Sequence, residues 1–544
     1  MTRVNYFKAT FLAALLHSVD ARHWQQQEPL SVKNAHSSSS NPFNDNLGDF
    51  VGDVMDRWKI AGMSVAVVDG DDVYSQGYGY ATLPDVKATP DTLYFVGSTS
   101  KAFAAAALAH LIDSKNYTAL ADGWSTTISS IIREDFVMYE DWSTEHLTLD
   151  DAASHRTGMP RHDAVLFLHH DDGSPVSTAQ QVQNLRYLKP SARPRTTWQY
   201  CNYMYIVLGY VTEFLTGKWL GDVLHESIWA PLGMTATFGD TKDAVAAPEH
   251  LAAGYYWDFE AKKFVEMRLD STRESGGAGL VISTVADYTK WARCLLDQTA
   301  PFSKATHAEI RKPRMLTDMA EGGKMGDGDL TYGLGWMKKT YHGEVVIKHG
   351  GTEMAYSTQL YTIPRLRYAV IAMSNSGAGN AAEDEVVWRL IEDKLGVPQE
   401  QRYNLTSSLE EAHAVQKKAL DEAESTWYPN LPEKRIPSSL TNEQIVGRYH
   451  DAGYGTLNII QADIDGENWL VANRTEPLTP YELRFKHVSG NFWLSYEYLP
   501  DLRQVAGAIA AEFTVGADGE AVGVEVRQTP KGQLGEPDVF FARV

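Results

Sequence analysis

The chain has 544 residues, with 49 Lys and Arg against 70 Asp and Glu, a formal net charge of −21 with His neutral. That length allows several domains, and 43% hydrophobic with 11% aromatic residues is ample for sizeable buried cores, which excludes disorder throughout. The negative field repels phosphate backbones and anionic headgroups, so no nucleic-acid or membrane-surface partner is expected, and a small molecule or short peptide remains.

Residues 9–16 (ATFLAALL) form an apolar run behind Arg3 and Lys8, far short of the roughly 20 residues that span a bilayer. The run reads equally as a short secretory signal or an N-terminal helix, so secretion is the expectation and an intracellular site the alternative. Residues 22–45 are polar with a serine run and complete a leader over 1–45. Sequons at Asn116, Asn404 and Asn473 fit secretion without establishing it. No integral membrane span is expected, and the oligomeric state stays open.

Strand patterning begins at 63–68 (MSVAVV), turns at Asp69-Gly70-Asp71-Asp72 and returns over 73–80. Helical patterning follows over 101–113, 203–216 with Gly217 in the cap position, and 285–297. Three short strands then run over 344–348, 357–363 and 368–374. An antiparallel sheet assembled from both ends of one domain, with a large helical insertion, is the economical α+β reading for residues 46–397. A linker over 398–439 holds a charged helical stretch at 408–425, then Pro429, Pro432 and Pro437. Residues 440–544 alternate short strands and turns over 454–464, 468–472, 492–498, 508–515, 522–527 and 539–544, the spacing of an all-β barrel.

Chemistry gathers at three places. Ser98-Thr99-Ser100-Lys101 opens an alanine-rich helix that is apolar on nearly every side, so the three-residue spacing puts a hydroxyl and a buried amine on one face. Burial lowers a lysine pKa and turns the amine into a base for its neighbour, although an N-capping serine beside a solvated lysine fits the same residues. Tyr200-Cys201-Asn202 precedes the second helix, where a phenol can relay protons and an amide can hold the amine; packing and capping are the plainer roles. His349-Gly350-Gly351-Thr352 ends a strand with glycines that admit a ligand backbone, or simply break the strand.

Together, in this order, the three motifs resemble the serine beta-lactamase and D-alanyl-D-alanine peptidase superfamily, in its class C-like branch with D-aminopeptidases and related esterases. Supporting segments are 77–81 (GYGYA), 153–160 (ASHRTGMP), 276–280 (GGAGL) and 332–336 (YGLGW). The C-terminal part, with Gly447-Arg448-Tyr449, resembles the lipocalin-type barrel appended to several peptidases of this branch. The resemblance implies a beta-lactamase/transpeptidase-like α+β domain with Ser98 as nucleophile, Lys101 and Tyr200 as the proton-transfer pair, and Asn202 positioning Lys101. Asn202, His349, Gly351 and Thr352 would line the substrate, with the Ser98 and Thr352 amides as oxyanion hole. A covalent acyl-serine follows, with no metal and no cofactor. Which of Lys101 and Tyr200 is the base in each step stays open.

Two departures bear on substrate. His349 stands where many relatives carry Lys, and a largely neutral imidazole offers a substrate carboxylate less charge. Aminopeptidase, amidase or esterase action is therefore expected ahead of carboxypeptidase or efficient beta-lactamase action. Cys201 fills the middle of the second motif and is a poor nucleophile candidate, with no His evident beside it. A Gly-x-Ser-x-Gly elbow and an HExxH pattern are both missing from the sequence, and His162-Asp163 with His169 to Asp172 reads as a solvated loop rather than a metal site. An acyltransferase using the same acyl-serine is the second reading, and a silent binding protein the third.

Overall fold

The computed structural model describes residues 41–544, apart from 171, 270, 272, 318–328 and 532. The apolar segment at 9–16 thus lies outside the described residues. The main sheet takes its first strands from one end of the 46–397 region: β1 (Gly62–Asp69), β2 (Asp72–Thr82) and β3 (Val86–Lys87). The remainder come from the other end: β4 (Met315–Leu316), β5 (Thr331–Tyr332), β6 (Met337–Tyr341), β7 (Glu344–Glu353), β8 (Tyr356–Ile363) and β9 (Tyr368–Ser374). They pair antiparallel in the order β3-β2-β1-β9-β8-β7-β6-β5-β4, so the two chain ends close on each other where β1 meets β9, with Val65 opposite Ala372.

Both faces of this sheet are covered, which is why β1 reads as a continuous apolar run. Val65 and Val67 point into a cluster with α1 (Asp45–Trp58) and the later helix Gly379–Leu395, where Val51, Trp58 and Trp388 pack. Ala66 and Val68, one residue out of phase, face the larger core with α2 (Ser100–Ser114), α3 (Asn202–Thr216) and α4 (Val285–Asp297). In α2 every residue from Ser100 to Ala109 is buried, so the helix threads the interior and carries Lys101 with it. Gly217 caps α3 at φ +67, a left-handed position that suits glycine.

Eight strands, β10 (Gly447–Asp451), β11 (Gly455–Ile464), β12 (Glu467–Arg474), β13 (Tyr481–Ser489), β14 (Phe492–Leu499), β15 (Gln504–Val515), β16 (Ala521–Arg527) and β17 (Val539–Arg543), close into a barrel. β13 is absent from the sequence reading above, although Tyr481, Leu483 and Phe485 point inward and alternate with Glu482, Arg484 and Lys486. The barrel is stitched to the 46–397 region. Leu168 N–H donates to the Glu476 carbonyl and Leu478 N–H to the Leu166 carbonyl, each at 2.8 Å, and the Asn184 amide donates to the Gly453 carbonyl at 3.1 Å. Among the described residues no helix is long and apolar enough to cross a membrane.

Candidate active site

Ser98 occupies the tight turn Gly97–Thr99 that leads into α2. From one side Tyr94–Phe95 pairs with Ile282–Ser283 and fixes the approach to the turn. From the other side β7 presses on it so closely that a Cβ on Gly351 would stand 2.0 Å from the Val96 carbonyl oxygen, and one on Gly97 2.6 Å from the Thr352 backbone. Gly97 also sits at φ +51, which a side chain would strain. These two glycines bring the backbone amides of Ser98 and Thr352 into one neighbourhood, as an oxyanion hole requires.

Lys101 lies one turn into α2 and is 0% exposed. Its Nζ is 3.0 Å from Ser98 Oγ, 2.9 Å from the Ala278 carbonyl oxygen and 4.9 Å from the centroid of the Tyr200 ring. Burial drives the ammonium pKa down to about 7, and the Arg161 charge acts in the same direction, against the carboxyls of Asp163 and Glu353. Ala278 reaches the amine because the turn Arg273–Ala278 packs tightly on α2 and α3: a Cβ on Gly277 would lie 2.5 Å from the Tyr205 carbonyl oxygen.

Tyr200 stands over this pair, and its phenol is raised well above the usual tyrosine range by burial, with hydrogen bonding to Ser98 only partly offsetting it. The phenol therefore keeps its proton, unlike the ionised group that proximity to an ammonium suggests. Asn202 is also turned elsewhere than the sequence implies. Its amide donates to Asp163 Oδ1 at 2.8 Å, a carboxylate being the stronger acceptor, and the hydrogen bonds of the Lys101 amine go to Ser98 and Ala278.

His349 lies buried on β7 between Tyr332 Oη, 3.0 Å from Nε2, and the Gly350 carbonyl, 2.6 Å from Nδ1. The carbonyl can only accept, so Nδ1 carries the proton and Nε2 receives the Tyr332 hydroxyl. Burial, then the Lys101 charge, pushes the imidazole pKa down to about 3, so the ring is neutral. Cys201 is buried, and its thiol is pushed up to about 12, which rules out a thiolate at neutral pH.

Several groups at the site escaped the motif reading. His155, at φ +57, accepts the Cys201 N–H on Nδ1 at 3.1 Å and lays its ring 4.3 Å from that of Tyr200. Burial and the neighbouring Lys101 hold it well below the ordinary histidine range. Arg161 places its guanidinium 4.9 Å from the Tyr200 ring centroid and ion-pairs with Asp163 at 2.6 Å. Glu353, at the end of β7, is buried, and burial lifts its carboxyl to about 8. His155 lies inside the supporting segment 153–160 and Arg161 directly after it, so the signal was present without a role attached to it.

Comparisons with known proteins show the family and the fold. A family model described as Beta-lactamase matches residues 47–393. Over 514 residues the chain is 37% identical to the unguisins hydrolase ungD' of Aspergillus campestris, covering 93% of each. A D-aminopeptidase of Brucella anthropi is 27% identical over 361 residues, covering 65% of this chain and 62% of that one. Among solved structures, a class C beta lactamase from Rhodobacter sphaeroides aligns with TM-score 0.52 and 20% identity, covering 65% of this chain and 100% of its own.

Proposed function

The chain belongs to the beta-lactamase family, and from that premise we propose that it is a serine hydrolase which cleaves an amide bond of a peptide-like substrate through an acyl-Ser98 intermediate. The observation that carries this reading is the buried Lys101 amine, 3.0 Å from Ser98 Oγ with a pKa near 7. At neutral pH a large fraction of such an amine is unprotonated. Tyr200, raised above its usual range, has no comparable population of base.

Lys101 accordingly takes the Ser98 hydroxyl proton as Oγ attacks the substrate carbonyl. The developing oxyanion is received by the backbone N–H groups of Ser98 and Thr352. As the C–N bond breaks, the leaving amine takes a proton relayed from Lys101 through the Tyr200 hydroxyl, and water then releases the acyl group by the reverse path. Asn202 acts through Asp163, which in turn fixes Arg161 over Tyr200. His349, neutral and occupied on both nitrogens, orders the edge of β7 without supplying a cation for a substrate carboxylate.

The amide class is favoured over the ester class by the names of the related unguisins hydrolase and D-aminopeptidase. Catalysis is assigned to residues 46–397 and the barrel to 440–544, joined by 398–439. The test is covalent labelling: a fluorophosphonate should leave one adduct, on Ser98, in the native chain and none in Ser98→Ala. A panel of amino-acid amides and p-nitrophenyl esters should be turned over only by the native chain. Labelling elsewhere, or equal turnover by Ser98→Ala, defeats the reading.

A further inference from the structure

Glu353 ends β7, one residue after the proposed oxyanion donor Thr352, and has no part in the proton transfers among Ser98, Lys101 and Tyr200. Two neighbours fix the face it occupies. Gly351, two residues earlier, is the position whose Cβ would point at the nucleophile turn, 2.9 Å from the Ser98 nitrogen. Tyr356, directly opposite Glu353 across the hairpin, lays its ring 4.9 Å from that of Phe95, on the approach to the same turn. Residues two apart on one strand, or opposed on neighbouring strands, share a face, so the Glu353 side chain stands on the Ser98 side of the sheet. Thr352 turns the other way, where its hydroxyl accepts from the Asn380 amide of the helix Gly379–Leu395. The hairpin tip is pinned in place, since the Tyr356 hydroxyl donates to the Ala252 carbonyl at 2.7 Å.

Glu353 is 8% exposed, yet among the described residues its carboxyl has neither a hydrogen bond nor an ion pair. The two groups whose charges act on it are engaged elsewhere: Lys101 with Ser98 and Ala278, and Asp163 with Arg161 and Asn202. Burial lifts the acid to about 8, as it does for a carboxyl given no donor to hold its charge. Solvent can serve such a group at the edge of an open cleft. A bound acyl group displaces that solvent, and from then on the donor has to come from the substrate; a substrate without one leaves the carboxyl unpaired.

Covalent geometry selects the substrate atom. With the scissile carbonyl oxygen at the Ser98 and Thr352 amides, the α-carbon of the acyl group is one bond from the reacting carbon, and its substituents are two. Glu353 lies one residue further along β7, a rise of about 3.3 Å, with its side chain on the same side. In a peptide-like acyl group the α-carbon carries a hydrogen, a side chain and a nitrogen. Only the nitrogen brings an N–H whatever the side chain is.

We propose that Glu353 is a specificity-determining residue that accepts the N–H of the nitrogen on the α-carbon of the acyl group, so that the enzyme requires an α-amino or α-acylamino acid on that side of the scissile bond. The inference rests on the hydrolase reading, which puts the substrate carbonyl between Ser98 and Thr352. It adds a requirement on the acyl side that none of the three motifs expresses.

The test uses the full chain and three kinds of small probe: alaninamide and N-acetylalaninamide, each in both configurations, and propionamide, which has no α-nitrogen. Binding is titrated by NMR against the native chain, Glu353→Gln and Glu353→Met, with fluorophosphonate labelling of Ser98 measured in parallel. The expected result is that a probe with an α-nitrogen binds the native chain about tenfold or more tightly than propionamide, the size of one hydrogen bond to a charged group, and that Glu353→Met loses this margin. The glutamine variant identifies the donor, because it keeps an acceptor oxygen and removes the charge. A margin carried by alaninamide and lost in Glu353→Gln assigns an ammonium; one carried by N-acetylalaninamide and kept in Glu353→Gln assigns an amide N–H. No margin in the native chain overturns the proposal, as does a margin that survives in Glu353→Met. If both variants also lose labelling of Ser98, the carboxyl is structural and the proposal falls. A native chain that keeps the margin but is not labelled would instead defeat the hydrolase reading and leave Glu353 as a binding residue.

Discussion

At the scale of single residues the site is governed by the cost of burying a charge. Lys101 has a folded pKa near 7 against an ordinary value of 10.5, so between these two pH values the unfolded chain holds the proton more tightly. Its contribution to stability therefore rises with pH through that window, and below it the full penalty applies. Lys101→Met should be inactive yet more thermostable than the native chain at pH 6, a gain that calorimetry would read directly. A lower Tm in that variant would show that the amine carries no burial cost. Catalysis reports the same group with its own sign: kcat/KM should climb as pH rises through about 7 and then level, because only the neutral amine accepts the Ser98 proton. Arg161 is the neighbouring charge that lowers Lys101 further, so Arg161→Met should move the ascending limb to higher pH. A limb that stays in place would remove Arg161 from the electrostatics of the site.

At the scale of elements the decisive contact is between β7 and the turn before α2, and it makes the two glycines of the third motif unequal. A Cβ on Gly351 would strike the Val96 backbone at 2.0 Å, whereas one on Gly350 would meet only the end of the Gln359 side chain, 2.7 Å away. Backbone cannot yield and a side-chain tip can. Gly351→Ala should thus separate the Ser98 and Thr352 amides and cost about 10²-fold or more in kcat, the scale of a lost oxyanion donor, while Gly350→Ala stays within a few fold. Comparable losses in both variants would deny the contact this role. Elements with a strong period were legible from the residues: 285–297 coincides with α4, and 368–374 with β9. What escaped was set by partners distant in sequence. β13 follows Pro477 and Pro480 and carries charges on its outer face, so its alternation passed for loop until barrel closure gave it neighbours on both sides. Likewise the carbonyl beside Lys101 comes from Ala278, a residue with no side-chain chemistry to notice, and Asn202 was drawn away by an aspartate 39 positions earlier.

At the scale of the whole molecule, the barrel holds the turn beside the reacting centre at His162. His162 is buried at φ +50 between Arg161 and Asp163, and its backbone N–H and both ring nitrogens are held from outside its own turn. Its backbone N–H donates to Glu536 Oε1 at 2.9 Å, Nδ1 faces the Tyr454 hydroxyl at 2.8 Å, and Nε2 faces the Lys189 carbonyl at 3.1 Å. Glu536 and Tyr454 belong to the barrel region, so a left-handed backbone position that a histidine adopts reluctantly is held there by a second domain. Its two chain neighbours are the residues that stack on Tyr200 and bind Asn202. Glu536→Ala leaves the His162 N–H buried without its acceptor, at a cost of about 1–3 kcal/mol, and releases the turn. Stability alone would be a weak reading of such a variant. If the barrel positions Arg161, the loss should also shift the ascending limb of the pH profile in the same direction as Arg161→Met, because the charge that depresses Lys101 moves off. A merely structural glutamate would lower Tm and leave the limb where it was, and that outcome would separate the barrel from the chemistry while leaving its contacts to the catalytic region intact.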